Sequence, residues 1–217
     1  MCKQEGNATF CGICDFQEPA LPDYAEFIAR CILFGLIHSL FAANRTKLAF
    51  SRVAGKNPRS YRLIYNLASL AVFGWVMAAY RSSPLIYAVP GVWRWVLYTL
   101  QLAVAVVIFR CVGQTGAGDF LGISQFRSGT EPPRRLVTSG CYASVRHPLY
   151  LYSTLFLILN PDMTRQWLLL TIFSVAYFTV GGMIEERRLL TEFGDDYREY
   201  RLRVPFIIPS LHRRSLK

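Results

Sequence analysis

Residues 166–184 read QWLLLTIFSVAYFTVGGMI, nineteen positions without a charge. At about 1.5 Å of rise per residue they form a helix of roughly 28 Å, the thickness of a bilayer's hydrocarbon core. Upstream, residues 149–159 (LYLYSTLFLIL) are too short to cross alone, but they follow Pro148 and stop at Asn160–Pro161, a turn signal. The two stretches together predict a helical hairpin. Residues 61–80 and 93–109 are similar apolar blocks with Tyr and Trp at their ends, where amphipathic rings favour the headgroup region. Residues 25–43 predict a first span that carries Glu26, Arg30 and His38. The expected fold is therefore all-α: a membrane bundle of about five spans with a C-terminal amphipathic helix on the cytoplasmic side.

Composition agrees, with 53% hydrophobic and 18% charged residues and a mean hydropathy of +0.26. Lys and Arg are not spread evenly. Residues 44–62 carry six, residues 110–147 five and residues 185–217 eight, so 19 of the 24 sit in alternate connecting segments. Positively charged loops stay in the cytoplasm, which places the N-terminus outside and these three segments inside. The net charge of +10 is then accounted for by topology and attraction to anionic membrane lipids, not by nucleic acid. Expected units are a non-cytoplasmic tail (1–23), three spans with basic loops (24–133), and a hairpin with a C-terminal core (134–217). The setting is a bacterial inner membrane or an endoplasmic reticulum.

Six cysteines give no framework. Cys31, Cys111 and Cys141 lie singly in or beside helices and are expected to behave as small apolar thiols. Cys11 and Cys14 make a lone CxxC without the further ligands of a zinc site, so no metal is expected.

Chemistry concentrates in the last 85 or so residues. LVTSGCYASVRHPLY (136–150) sets Tyr142, Arg146, His147 and Tyr150 at the cytoplasmic mouth of the hairpin. Pro148 starts a helix, and the free N–H groups of a first helical turn suit a carboxylate. Snorkelling and an aromatic belt are the plainer account of each residue alone. EERRLLTEFGDDYREYRLRVPFIIP (185–209) follows the last span directly. Carboxylates at a membrane edge are costly unless paired or liganded, so Glu185 and Glu186 are either functional or paired with Arg188 or Arg146. Beyond them, Leu189, Leu190, Phe193, Tyr197 and Tyr200 fall at helical spacing, with Gly194 as a break.

These two strings closely resemble the isoprenylcysteine carboxyl methyltransferase and phospholipid methyltransferase superfamily over residues 134–209. The resemblance implies S-adenosylmethionine as cofactor, held by Leu136, Val137, Tyr142, His147, Pro148, Leu149, Tyr150 and Glu185, with Glu186 beside them. Enzymes of that superfamily that act on a prenylcysteine carboxylate carry an Arg where this chain has Gly181, and a His where it has Arg134. Two further strings, GLIHSLFA (35–42) and DFLGISQF (119–126), are similar to the membrane methanethiol S-methyltransferase branch, which favours a small thiol as acceptor. On that resemblance His38 would polarise or deprotonate the thiol and Asp119 orient it, with Arg146 completing the catalytic candidates. For His38 the alternative is a helix-packing hydrogen bond, and for Asp119 an ordinary loop carboxylate. Three other readings stand beside this one: methylation of a prenylcysteine or phospholipid amine, an NADPH-dependent sterol-reductase-like activity, and a non-catalytic membrane partner.

Overall fold

The computed structural model describes residues 21–54, 60–80, 83–128 and 135–209. The CxxC of the N-terminal tail and Arg134 lie outside the described residues. The chain runs α1 (Leu21–Ala42), α2 (Asn44–Ala54), α3 (Tyr61–Met77), β1 (Leu85–Ala88), α4 (Gly91–Gln114), α5 (Ala117–Leu121), α6 (Ile123–Ser128), a 3₁₀ turn (Gly140–Ala143), α7 (Pro148–Ile158), β2 (Asp162–Thr164) and α8 (Arg165–Arg203). Among the described residues, three helices are long and apolar enough to cross a membrane: Asp23–Ala42, Gly91–Gln114 and Arg165–Arg203. α3, at 17 residues, stops short of the Tyr80 boundary read from sequence because the chain tightens there. Ala79 N–H donates to Val76 O and Tyr80 N–H to Met77 O.

Neighbouring helices follow the order α4, α7, α8, α1, α3. Polar staples hold this row together. Gln101 Nε2 donates to Phe156 O (2.9 Å) between α4 and α7, and Trp167 Nε1 to Leu157 O (2.8 Å) between α8 and α7. Arg30 donates to Trp75 O (2.7 Å) between α1 and α3, which together with Glu26 gives that charged side chain its partners inside an apolar helix. Phe27, Cys31, Val76, Ala79 and Leu170 form the packed centre. Outside it, large apolar side chains face outward, Leu70 at 67% and Phe109 at 75% exposure, a surface suited to lipid rather than water.

The fold is mostly helical, as expected, with one small addition: β1 and β2 pair as an antiparallel ribbon, Leu85 with Thr164 and Ala88 with Asp162. The segments are short and bracketed by Pro84, Pro90 and Pro161, so no period-2 pattern marks them. Their pairing joins the α3–α4 and α7–α8 connections at one end of the bundle, reinforced by Arg94 on Asp162 (2.6 Å). One sequence expectation is corrected: Cys111 and Cys141 are not free thiols but a disulfide between the end of α4 and the 3₁₀ turn. Closing a 30-residue loop stabilises by on the order of 3–4 kcal/mol in the chain-entropy account.

α8 continues well past the uncharged stretch 166–184 and then breaks at Gly194, which has φ +56° and ψ −122°. That left-handed backbone favours glycine, and a Cβ there would meet nothing within 4 Å, so the requirement is conformational. The consequence is a fold-back. Tyr197 lies eleven residues beyond Glu186 yet donates to its carboxylate at 3.0 Å, where a straight helix would hold them about 16 Å apart. We expect Gly194→Ala to lower stability by about 1–2 kcal/mol, read as a fall in thermal midpoint of the detergent-solubilised protein.

Candidate functional site

Arg146 and His147 lie between the 3₁₀ turn and α7, and the chain end clamps their backbone. Arg146 N–H donates to Pro205 O (2.9 Å) and His147 N–H to Phe206 O (3.1 Å). Pro148 takes the first position of α7, where a missing N–H costs nothing. The ring of Phe206 stands edge-on to His147, centroids 4.9 Å apart. The fold-back beyond Gly194 thus builds one wall of the site.

The adjacent carboxylates of α8 receive different partners. Glu186 is buried, 7% exposed, and takes Arg146 in a two-pronged contact, Nε at 2.6 Å and Nη2 at 3.1 Å. Tyr197 Oη (3.0 Å) and Arg201 Nε (3.0 Å) complete its coordination, and His147 Nε2 stands 3.3 Å away. Burial by itself would raise the Glu186 carboxyl. The Arg146 hydrogen bonds and charge, then the Tyr197 hydroxyl and Arg201, outweigh burial and hold it below the usual carboxylate range. The Arg146 guanidinium also donates to Arg201 O and Val204 O, so this pair ties α8, the 146–147 segment and the chain end into one unit.

Glu185 is the opposite case. Its side chain is 46% exposed, and its described partners are the Tyr150 hydroxyl, donating at 3.0 Å, and His147 Nδ1 at 3.6 Å. Around it stand aromatic rings. His147 and Tyr150 stack with an interplanar angle of 4°, and Tyr150 stacks in turn on Phe178. Burial, then the Glu185 charge, pushes the Tyr142 hydroxyl up to about 12. For His147, burial pushes the imidazole below its ordinary value, against the pull of Glu185 and Glu186. The result is a half-open carboxylate with aromatic walls, beside a second carboxylate whose charge is already matched.

The other residues named from sequence fall into two groups. Leu136 packs against Tyr197, Tyr200 and Val204, while Val137 and Leu149 are half-buried, so the whole 136–150 string converges on this end of the bundle. Asp119 is placed elsewhere: its carbonyl accepts from Arg62 (2.6 Å) and Gln125 (3.2 Å), and α5 packs on α3, α4 and α6. His38 lies within the bundle. Its Nε2 meets Tyr65 Oη at 2.7 Å and its Nδ1 Ser69 Oγ at 3.0 Å, so both ring nitrogens are engaged. Phe34, Tyr65 and Tyr177 surround the ring, and Tyr65 and Tyr177 lie within electrostatic reach of Tyr150. Sequence reading missed Tyr65, Ser69, Tyr177 and Phe178. Tyr65 and Ser69 stand four apart on the face of α3 turned to α1, but polar residues of that kind are common in apolar helices and carried no distinguishing signal.

A family model described as NnrU protein matches residues 26–205. Methanethiol S-methyltransferase 2 of Bradyrhizobium diazoefficiens is 31% identical over 193 residues, covering 84% of this chain and 71% of the relative. Methanethiol S-methyltransferase 1 of the same organism is 30% identical over 82% of this chain, which spans 64% of that relative's length. The protein-S-isoprenylcysteine O-methyltransferase of Schizosaccharomyces pombe is 35% identical over a shorter stretch, 34% of this chain and 33% of the relative. No solved structure matches. With a family model spanning most of the sequence and relatives aligned along more than four-fifths of it, the chain belongs to the NnrU protein family, the isoprenylcysteine-methyltransferase-like membrane enzymes.

Proposed function

We propose that the protein is an S-adenosylmethionine-dependent methyltransferase of the membrane, whose acceptor is a small thiol such as methanethiol and whose product is then dimethyl sulfide. The observation that carries this reading is the division of labour between adjacent carboxylates. Glu186 is neutralised by Arg146 and Arg201, while Glu185 keeps a half-open carboxylate among Tyr150, His147 and Tyr142. A sulfonium donor carries a fixed positive charge and an ammonium, so it fits a carboxylate lined by aromatic faces. When bound, S-adenosylmethionine supplies an electrophilic methyl group.

In this reading Glu185, Tyr142, His147 and Tyr150 hold the cofactor, with Leu136, Val137, Pro148 and Leu149 shaping its apolar side. Arg146 positions: its contacts with Glu186 and the Arg201 and Val204 carbonyls fix the wall against which His147 is set. His38 acts through its neighbours, since its ring nitrogens are occupied. Tyr65 takes the acceptor proton while passing its own to His38 Nε2, and Ser69 steadies the opposite nitrogen. Asp119 orients the basic loop around α3. The topology that goes with this has α3 and the α7–α8 hairpin completing about five crossings, the basic segments and the cofactor site in the cytoplasm, and residues 195–203 at the membrane surface. Residues 134–217 form the cofactor-binding core and residues 24–133 shape the acceptor's path. Gly181 argues against a carboxylate acceptor: a Cβ there would lie 4.0 Å from the Tyr150 hydroxyl, beside the site, and glycine offers no cation to grip a carboxylate substrate.

Headspace analysis of purified protein given methanethiol and S-adenosylmethionine tests the acceptor. Dimethyl sulfide is expected, and Tyr65→Phe should lower kcat by about 10–100-fold with little change in S-adenosylhomocysteine binding. Methylation of a prenylcysteine or an aminophospholipid in place of the thiol would overturn the acceptor assignment.

A further inference from the structure

The Cys111–Cys141 bond joins a transmembrane helix to the turn that leads into Arg146 and His147. Cys111, in the last turn of α4, is fully buried, whereas Cys141 is only half-buried. Their Cα atoms are 5.7 Å apart. The same strut has a polar component, because Cys141 N–H donates to Gln114 Oε1 at 3.0 Å. Gly140 makes that approach possible: it has φ +62°, and a Cβ there would fall 2.0 Å from Gln114 Nε2. On its far side the turn touches the site. The Tyr142 carbonyl accepts from Tyr200 Oη at 2.6 Å, and the Tyr142 side chain feels the charge of Glu185.

This bond stands on the side where Lys and Arg accumulate. The segment 110–147, which contains both cysteines, carries five of them, and such segments remain in the cytoplasm. Small thiols dominate there, and structural disulfides do not persist in that compartment unless they take part in exchange. A bond in that position, braced on one side by the membrane bundle and on the other by the residues around Glu185, is therefore placed to open and close in response to thiols.

We propose that Cys111–Cys141 is a thiol–disulfide exchange site for a low-molecular-weight thiol, whose oxidation state sets how tightly the adjacent site holds its ligand. The proposal uses the cofactor reading above for its probe. In the exchange, a small thiolate attacks Cys141 Sγ, the more accessible sulfur. The S–S bond breaks, its electron pair passes to Cys111 Sγ, and that thiolate takes up a proton. A second small thiolate then attacks the small-thiol sulfur of the mixed disulfide, and Cys141 Sγ leaves as a thiolate that takes up a proton. Two small thiols are consumed, one small disulfide is released, and the protein is left with two thiols. In the reduced protein the Gln114 hydrogen bond remains as the link between α4 and the turn, so the Tyr142 wall beside Glu185 is less firmly held.

The test titrates S-adenosylhomocysteine into detergent-purified full-length protein, as isolated and after dithiothreitol. Alkylation and peptide mass analysis report the state of Cys111 and Cys141 in each sample. Reduction is expected to raise the Kd about 3–10-fold, the scale of one lost hydrogen bond. The double variant Cys111→Ser/Cys141→Ser should match the reduced protein and no longer respond to dithiothreitol, which separates this pair from the other cysteines. Equal affinity in both states, with reduction of the pair confirmed by mass, overturns the proposal and leaves the cofactor reading intact. A response to dithiothreitol that persists in the double variant overturns it as well. Absence of binding in either state overturns the cofactor reading and the proposal together.

Discussion

Replacing Glu185 with glutamine is expected to weaken S-adenosylhomocysteine binding by about 10–100-fold, the range of a charge-assisted hydrogen bond, while leaving the protein folded. Glutamine keeps the size and the oxygen that Tyr150 addresses, so the substitution removes the charge and little else. Glu185 has no guanidinium among its described partners and is half-exposed, which means no buried cation is left uncompensated. Calorimetric titration reads the affinity, and the thermal midpoint of the same sample should move by no more than about 1–2 °C. A large loss of stability with unchanged affinity would mean that this carboxylate serves the fold and not a ligand.

The neighbouring substitution, Glu186→Gln, should do the reverse. Here the carboxylate and Arg146 are both nearly buried, each side chain at 9% exposure, and removing one partner of such a pair costs about 3–5 kcal/mol because a charge stays behind without its counterpart. Arg146 would be that charge, and the chain end that it fastens through Arg201 O and Val204 O would loosen with it. Thermal or denaturant unfolding in detergent measures the loss. Combining Glu186→Gln with Arg146→Met should restore part of the stability, since the stranded guanidinium is then gone. If the double variant is as unstable as the sum of the two single changes, the pair is not coupled and the cost lies elsewhere.

Two adjacent glutamates with opposite surroundings, one buried and paired and one half-exposed, show where sequence reading stops. Apolar blocks and their turn signals located α1, α3, α4, α7 and the start of α8, because lipid demands long uncharged helices and the chain announces them. The strings 136–150 and 185–209 were likewise legible, and the fold brings them together, His147 beside both carboxylates. What the string could not tell was which glutamate pairs with Arg146. Consecutive residues on a helix point about 100° apart, so the answer depends on the rotation of α8 against α7, a packing property. The Gly194 break was visible, but its consequence was not, since the reach of Tyr197 and Arg201 back to Glu186 requires the chain to reverse there. Short β pairing between distant connections and the Cys111–Cys141 bond escaped for a related reason. Both are contacts between segments far apart in sequence, each too short to carry a pattern.

The assignment of Glu185 to the cofactor is tested most directly by a crystal or cryo-EM structure of the protein with S-adenosylhomocysteine. The ligand is expected against Glu185, Tyr150 and His147, with Tyr142 alongside and the Glu186–Arg146 pair intact behind it. A ligand seated elsewhere in the bundle, with the Glu185 carboxylate bonded solely to protein groups, would contradict it.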